Sequence, residues 1–107
     1  MAIYDPATGQ FAPTGGLAVK RTLYTATLLP SGLVLIAGGY QHSPSSFIYL
    51  ASAELYDRAA STCTPTASMA EQREYHTATA LPDGTVLIAG GDRFGSAPAL
   101  ASAEIYQ

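Results

Sequence analysis

The chain has 107 residues, of which 48% are hydrophobic and 12% charged, and its net charge is −3. That length bounds it to one small domain, and that balance excludes a disordered segment, where high charge and few apolar residues are expected. The basic residues (Lys20, Arg21, Arg58, Arg73, Arg93) form no run, so there is no electrostatic footprint for nucleic acid.

Residues 2–5 (AIYD) read as a short β-strand that Pro6 stops, and PATG then reads as a turn. Residues 10–14 (QFAPT) are a candidate edge strand, because Pro13 cannot donate to a ladder. Residues 22–29 (TLYTATLL) read as a strand, 30–32 (PSG) as a tight turn, and 33–37 (LVLIA) as an apolar strand ended by Gly38-Gly39. An uninterrupted apolar run fits a strand covered on both faces, and this hairpin is the most secure element in the sequence. Residues 40–49, with Pro44 and several serines, are expected to form a loop whose end leads into the next strand. A strand follows at 51–57, then a weaker edge strand at 60–65 through Cys63, and an exposed charged segment at 68–74. Strands are expected again at 75–81, 85–89 and 102–106, with a turn at 82–84, Gly90-Gly91, and a loop at 92–99.

That order reflects an internal repeat. Residues 21–40 (RTLYTATLLPSGLVLIAGGY) and 73–92 (REYHTATALPDGTVLIAGGD) are identical at 13 of 20 positions, at a spacing of 52. LASAELYD (50–57) returns as LASAEIYQ (100–107), with six of eight identical and a spacing of 50, so the second intervening loop is two residues shorter. Residues 3–5 (IYD) are a third copy of that strand, and 4–21 match 56–73 at seven of 18 positions.

A period near 50 residues with four short strands per unit marks propeller blades. The chain resembles the kelch repeat family. The residues that carry the resemblance are Arg21 and Arg73 before the first strand, Gly38, Gly39, Gly90 and Gly91 after the second, and Glu54, Tyr56, Glu104 and Tyr106 in the third. It is similar to the bacterial type, in which YDPATG links the outer strands. The resemblance implies an all-β fold of about two four-stranded antiparallel blades, an incomplete propeller. Residues 1–20 would be the outer strands of a preceding blade, 21–72 a complete blade, and 73–107 a blade lacking its last strand. Kelch units usually carry tryptophan on the outermost strand; here Phe11 and Cys63 occupy that place, and packing there should be weaker. Two blades do not close a ring. The expectation is therefore a piece of a larger propeller, with head-to-tail association of copies as the alternative.

Residues present in every repeat read as scaffold. Residues unique to one repeat are the candidates for ligand binding: Tyr40, His42, Phe47 and Tyr49 after the first Gly-Gly, and Asp92, Arg93 and Phe94 after the second. Both sets leave the same strand end, so both should lie on one face, and aromatics beside a few polar groups suit recognition. His76 stands where the other repeat has Tyr24 and reads as a packed or hydrogen-bonded histidine. The single cysteine, Cys63, reads as a small buried hydrophobe. No nucleophile elbow, zinc-protease, phosphate-loop or dinucleotide motif occurs, and no cofactor or metal is expected. No apolar run is long enough for a transmembrane helix, and the first residues lack the regions of a signal peptide. The expected function is a non-catalytic binding module for protein or glycan. The resemblance leaves a second reading, a part of a galactose-oxidase-like enzyme without a complete active site.

Overall fold

The computed structural model describes residues 2–13, 15–43, 46–92 and 99–107. The described residues form an all-β, antiparallel structure with no helix. Strands β1 (Ala2–Asp5) and β2 (Gln10–Pro13) make a two-stranded sheet. β3 (Thr25–Leu28), β4 (Val34–Ala37), β7 (Ala53–Asp57) and β8 (Thr62–Thr66) form a four-stranded sheet in the order β3-β4-β7-β8. β9 (Thr77–Ala80), β10 (Val86–Ala89) and β11 (Ala103–Tyr106) form a three-stranded sheet in the order β11-β10-β9.

The loop expected at 40–49 is instead a hairpin: β5 (Tyr40–Ser43) pairs with β6 (Ser46–Tyr49). The aromatic pair Tyr40↔Tyr49 and the β-favouring Phe47-Ile48-Tyr49 run outweigh the serines, and Pro44 falls between the strands. Its placement, like that of residues 93–98, lies outside the described residues.

Each long hairpin turns on a glycine. Leu29 N donates to Leu33 O at 2.8 Å and Gly32 N to Leu29 O at 2.9 Å, and the bonds recur at Leu81, Thr85 and Gly84. In the second turn Asp83 Oδ1 also accepts from Thr85 N and Oγ1.

Registration decides the faces. Thr27↔Leu35↔Leu55↔Thr64 and Thr25↔Ala37↔Ala53↔Thr66 share one face of the four-stranded sheet. Ala78↔Ile88↔Glu104 and Ala80↔Val86↔Tyr106 share one face of the three-stranded sheet. The two faces stack, with β3 beside β9. Leu35, Ala37, Ala53, Met69, Val86 and Ile88 form the core, and Leu29, Leu55, Ala78 and Tyr106 pack against it. Burying each large aliphatic contributes about 1.5–3 kcal/mol. Polar bonds fix the stacking: Thr66 Oγ1 to Tyr106 OH at 2.6 Å, Thr25 Oγ1 to His76 Nε2 at 2.9 Å, and Gly39 N to Arg73 O at 2.7 Å.

A further expectation changes. The segment 68–74 is not uniformly exposed, for Met69, Arg73 and Glu74 are buried. It runs between the sheets, and Met69 N and Arg73 N donate to Ala51 O and Leu50 O. Burial on both faces holds for β4 but not for β10, where Leu87 is 37% exposed while Leu35 is 1% exposed. No described sheet lies on that side of β10.

An arginine clamp holds each unit. Arg21 Nε donates to Glu54 Oε2 at 3.1 Å, Nη1 to Gly38 O and Ser52 O at 3.0 and 2.8 Å, and Nη2 to Ser52 Oγ at 3.1 Å. Arg73 repeats this on Glu104, Gly90 and Ser102 and adds Glu71. The planar fork ties the end of the second strand to the third. Burial opposes ionisation of Glu54, but the Ala18 amide and the Arg21 guanidinium outweigh it and hold its pKa below the usual carboxylate range.

Candidate functional site

Both Gly-Gly pairs release the chain at the same end of the stacked sheets. Past Gly38-Gly39, Tyr40 forms an isolated bridge with Thr22, through two backbone bonds of 3.0 Å. Past Gly90-Gly91, Asp92 bridges Glu74 through bonds of 2.8 and 3.0 Å. The residue after each bridge, Leu23 or Tyr75, has a positive φ of 57° or 54°. Bulky side chains there cost about 1–2 kcal/mol each. The conformation turns the chain sharply into β3 or β9 and leaves the side chain at the rim. Tyr75 N donates to Leu23 O at 3.3 Å, so the two loop bases are joined, with Tyr40 and Thr22 on one side and Glu74 and Asp92 on the other.

The rim is rich in apolar and aromatic groups. Leu23 and Tyr24 are about one-third exposed and Tyr75 about two-thirds. Tyr40 and Tyr49 stack with ring centroids 5.9 Å apart and an interplanar angle of 29°, an arrangement that rigidifies a hairpin base.

No family model and no curated protein matches the chain.

Beneath the rim lies a carboxyl pair. Glu74 is buried, and this desolvation, reinforced by the Asp92 carboxylate as neighbouring charge and hydrogen-bond partner, pushes its pKa up. Asp92 Oδ1 is buried without a hydrogen-bond partner. A proton held on Glu74 lets the pair hydrogen-bond rather than repel. His76 has its pKa pushed down, first by burial and then by the Arg73 charge, so the neutral ring is favoured beside Thr25.

Of the residues singled out from sequence, Tyr40 and Tyr49 come together as a stacked pair and Asp92 is placed against Glu74. His42 and Phe47 are register partners in β5–β6. Arg93 and Phe94 lie outside the described residues. Sequence reasoning missed Leu23, Tyr24, Glu74 and Tyr75. A signal was present: TLY at 22–24 against EYH at 74–76 is the longest run of differences between two otherwise similar segments.

Among the described residues no group of three or more His, Cys, Asp or Glu is placed to hold a metal ion, and no helix is long and apolar enough to cross a membrane. Cys63 lies on β8 beside Glu54 and is half-buried, not fully buried as expected, because β8 is the edge strand of its sheet. Burial and then the Glu54 carboxylate push its thiol pKa up, away from the thiolate a nucleophile needs. An open hollow at the opposite strand ends is lined by turn residues Ser31, Gly32, Leu33, Asp57, Arg58 and Ala59.

Proposed function

We propose that the chain consists of kelch-type blades of a β-propeller and serves as a non-catalytic binding module. In this reading the two sheets are consecutive blades, the β1–β2 hairpin is the outer pair of a preceding one, and further blades complete the ring. The ligand is a protein or a glycan, held at the rim where both loops leave the sheets. The observation that carries the reading is the Tyr75 N to Leu23 O bond. It joins two otherwise separate loop bases into one surface bearing Tyr24, Tyr40, Tyr49 and Tyr75. Aromatic rings give large contact area at little entropic cost, and the rigid sheets below hold them in place. The repeated clamp, the stacked sheets and the Gly-Gly release points support the blade assignment.

The test is an array of immobilised oligosaccharides and peptides probed with labelled chain. Binding to a defined subset is expected, and Tyr40→Ala combined with Tyr75→Ala should lower the signal at least tenfold at unchanged far-ultraviolet circular dichroism. Binding that survives both substitutions would move the site elsewhere, and the reading would fall.

A further inference from the structure

The outer face of the three-stranded sheet carries Thr77, Thr79, Leu87, Ala89, Ala103 and Ile105, as alternation along β9, β10 and β11 requires. Their counterparts in the first repeat are Thr25, Thr27, Leu35, Ala37, Ala53 and Leu55. Five of the six are the same residue, and the sixth exchanges leucine for isoleucine. In the four-stranded sheet that face is closed: Leu35 and Ala37 are each 1% exposed and Ala53 is 3% exposed. What closes it is the inner face of the three-stranded sheet, with Ala78, Val86, Ile88 and Tyr106. In the three-stranded sheet the same residues are open, with Leu87 37% and Ile105 46% exposed.

The chain also carries a second set of the residues that fill such a face. Ala26, Val34, Ile36 and Tyr56 are the counterparts of Ala78, Val86, Ile88 and Tyr106, identical at all four positions. Register places them together on the other side of the four-stranded sheet. The β3 edge of that side is open, with Ala26 exposed and Leu28 66% exposed.

We infer that the outer face of β9–β10–β11 docks a second copy of this chain, head to tail, through the β3–β4 side of the copy's four-stranded sheet. The contact repeats the one already made inside the molecule. The backbone groups are in place for it. Gly39 N, Leu50 O and Ala51 O bond to Arg73 O, Arg73 N and Met69 N within the chain. Gly91 N, Leu100 O and Ala101 O hold the corresponding positions for Arg21 O, Arg21 N and Leu17 N of the incoming copy. Gly90 is matched in the same way. A Cβ on Gly38 would strike Arg73 O and His76, whereas one on Gly90 meets nothing nearer than Leu100 O at 3.8 Å, so the space is vacant. The third-strand side of the seat is covered within the chain, with Ile36 and Tyr56 buried, so the incoming outer face engages the open β3–β4 side. The two surfaces differ, so the contact is heterologous and continues from copy to copy until a ring closes. It holds whatever the rim binds.

Light scattering on a size-exclusion column tests this with two variants, each placing a charge at one half of the contact. Leu87→Asp blocks the outer face and leaves the β3–β4 side intact; Ala26→Asp does the reverse, at the counterpart of Ala78, which packs against the core in the internal contact. Both positions are partly or largely exposed within the chain, so folding, followed by circular dichroism, should persist. If either aspartate variant unfolds, Leu87→Ser and Ala26→Ser replace them. The expected result is an oligomeric wild type at micromolar concentration, two monomeric variants, and a dimer with no larger species when the variants are mixed. A monomeric wild type overturns the inference. So does loss of association in Leu87→Asp alone, which marks a face-to-face dimer, and so does a mixture that stays monomeric.

Discussion

Gly38 and Gly90 occupy the same place in the two repeats, yet the structure makes them unequal. Their φ angles are +71° and +68°, so alanine at either pays the left-handed cost of about 1–2 kcal/mol. The surroundings differ. A Cβ on Gly38 would lie 2.6 Å from Arg73 O, 2.7 Å from His76 Cε1 and 3.0 Å from Met69 Cε. All three belong to the stretch 69–76 that leads into and seats the second sheet, and forcing them apart adds about 1–3 kcal/mol. At Gly90 the nearest atom, Leu100 O, is 3.8 Å away, an ordinary contact. Stiffening of the unfolded chain is the same for both and cancels. Gly38→Ala is thus expected to be about 2 kcal/mol more destabilising than Gly90→Ala, a gap near 10 °C in a domain of this size. Urea unfolding followed by tyrosine fluorescence measures the difference, at a dilution where the chain is monomeric. The other pair of glycines is the control: a Cβ on Gly39 or Gly91 collides with Thr22 O or Glu74 O of its own repeat, so both substitutions should be severe. Equal midpoints for Gly38→Ala and Gly90→Ala would refute the view that sheet stacking, rather than the backbone angle alone, selects glycine at position 38.

Two further outcomes follow from the loop bases. Tyr75 has a φ of 54° and a 68% exposed side chain, so Tyr75→Asn relieves strain with little loss of packing and should raise stability by about 1 kcal/mol; a lower unfolding midpoint would show that the ring packs more than its exposure suggests. The pKa of Glu74 is raised above its ordinary value of 4.5, so the folded state holds a proton that the unfolded state has released, and stability is lost as pH rises from about 4.5 through the folded value. Glu74→Gln should remove that loss and leave the variant more stable than wild type at neutral pH, whereas parallel stability–pH curves would count against a shared proton at the Glu74–Asp92 bridge.

Much of the fold was legible because the chain states it twice. The apolar runs ended by Gly-Gly, the turns at 30–32 and 82–84, and the returning LASAE segment locate the strands of both sheets to within a few residues, since strand and turn formation depend on local pattern. The 40–49 segment was misread because its proline and serines argue locally against a strand, whereas the stacked Tyr40–Tyr49 pair forms only once the strands face each other. Burial of Arg73 and Glu74 was invisible for a related reason: a polar segment reads as solvent-facing until the sheet that covers it is placed. The repeat also hides its own asymmetry. Leu35 and Leu87 sit in identical VLIA strands, and no local signal separates them. One is sealed and the other open because burial belongs to the space between two sheets, and only the stacking of one sheet on the next decides which copy of a residue lies in it.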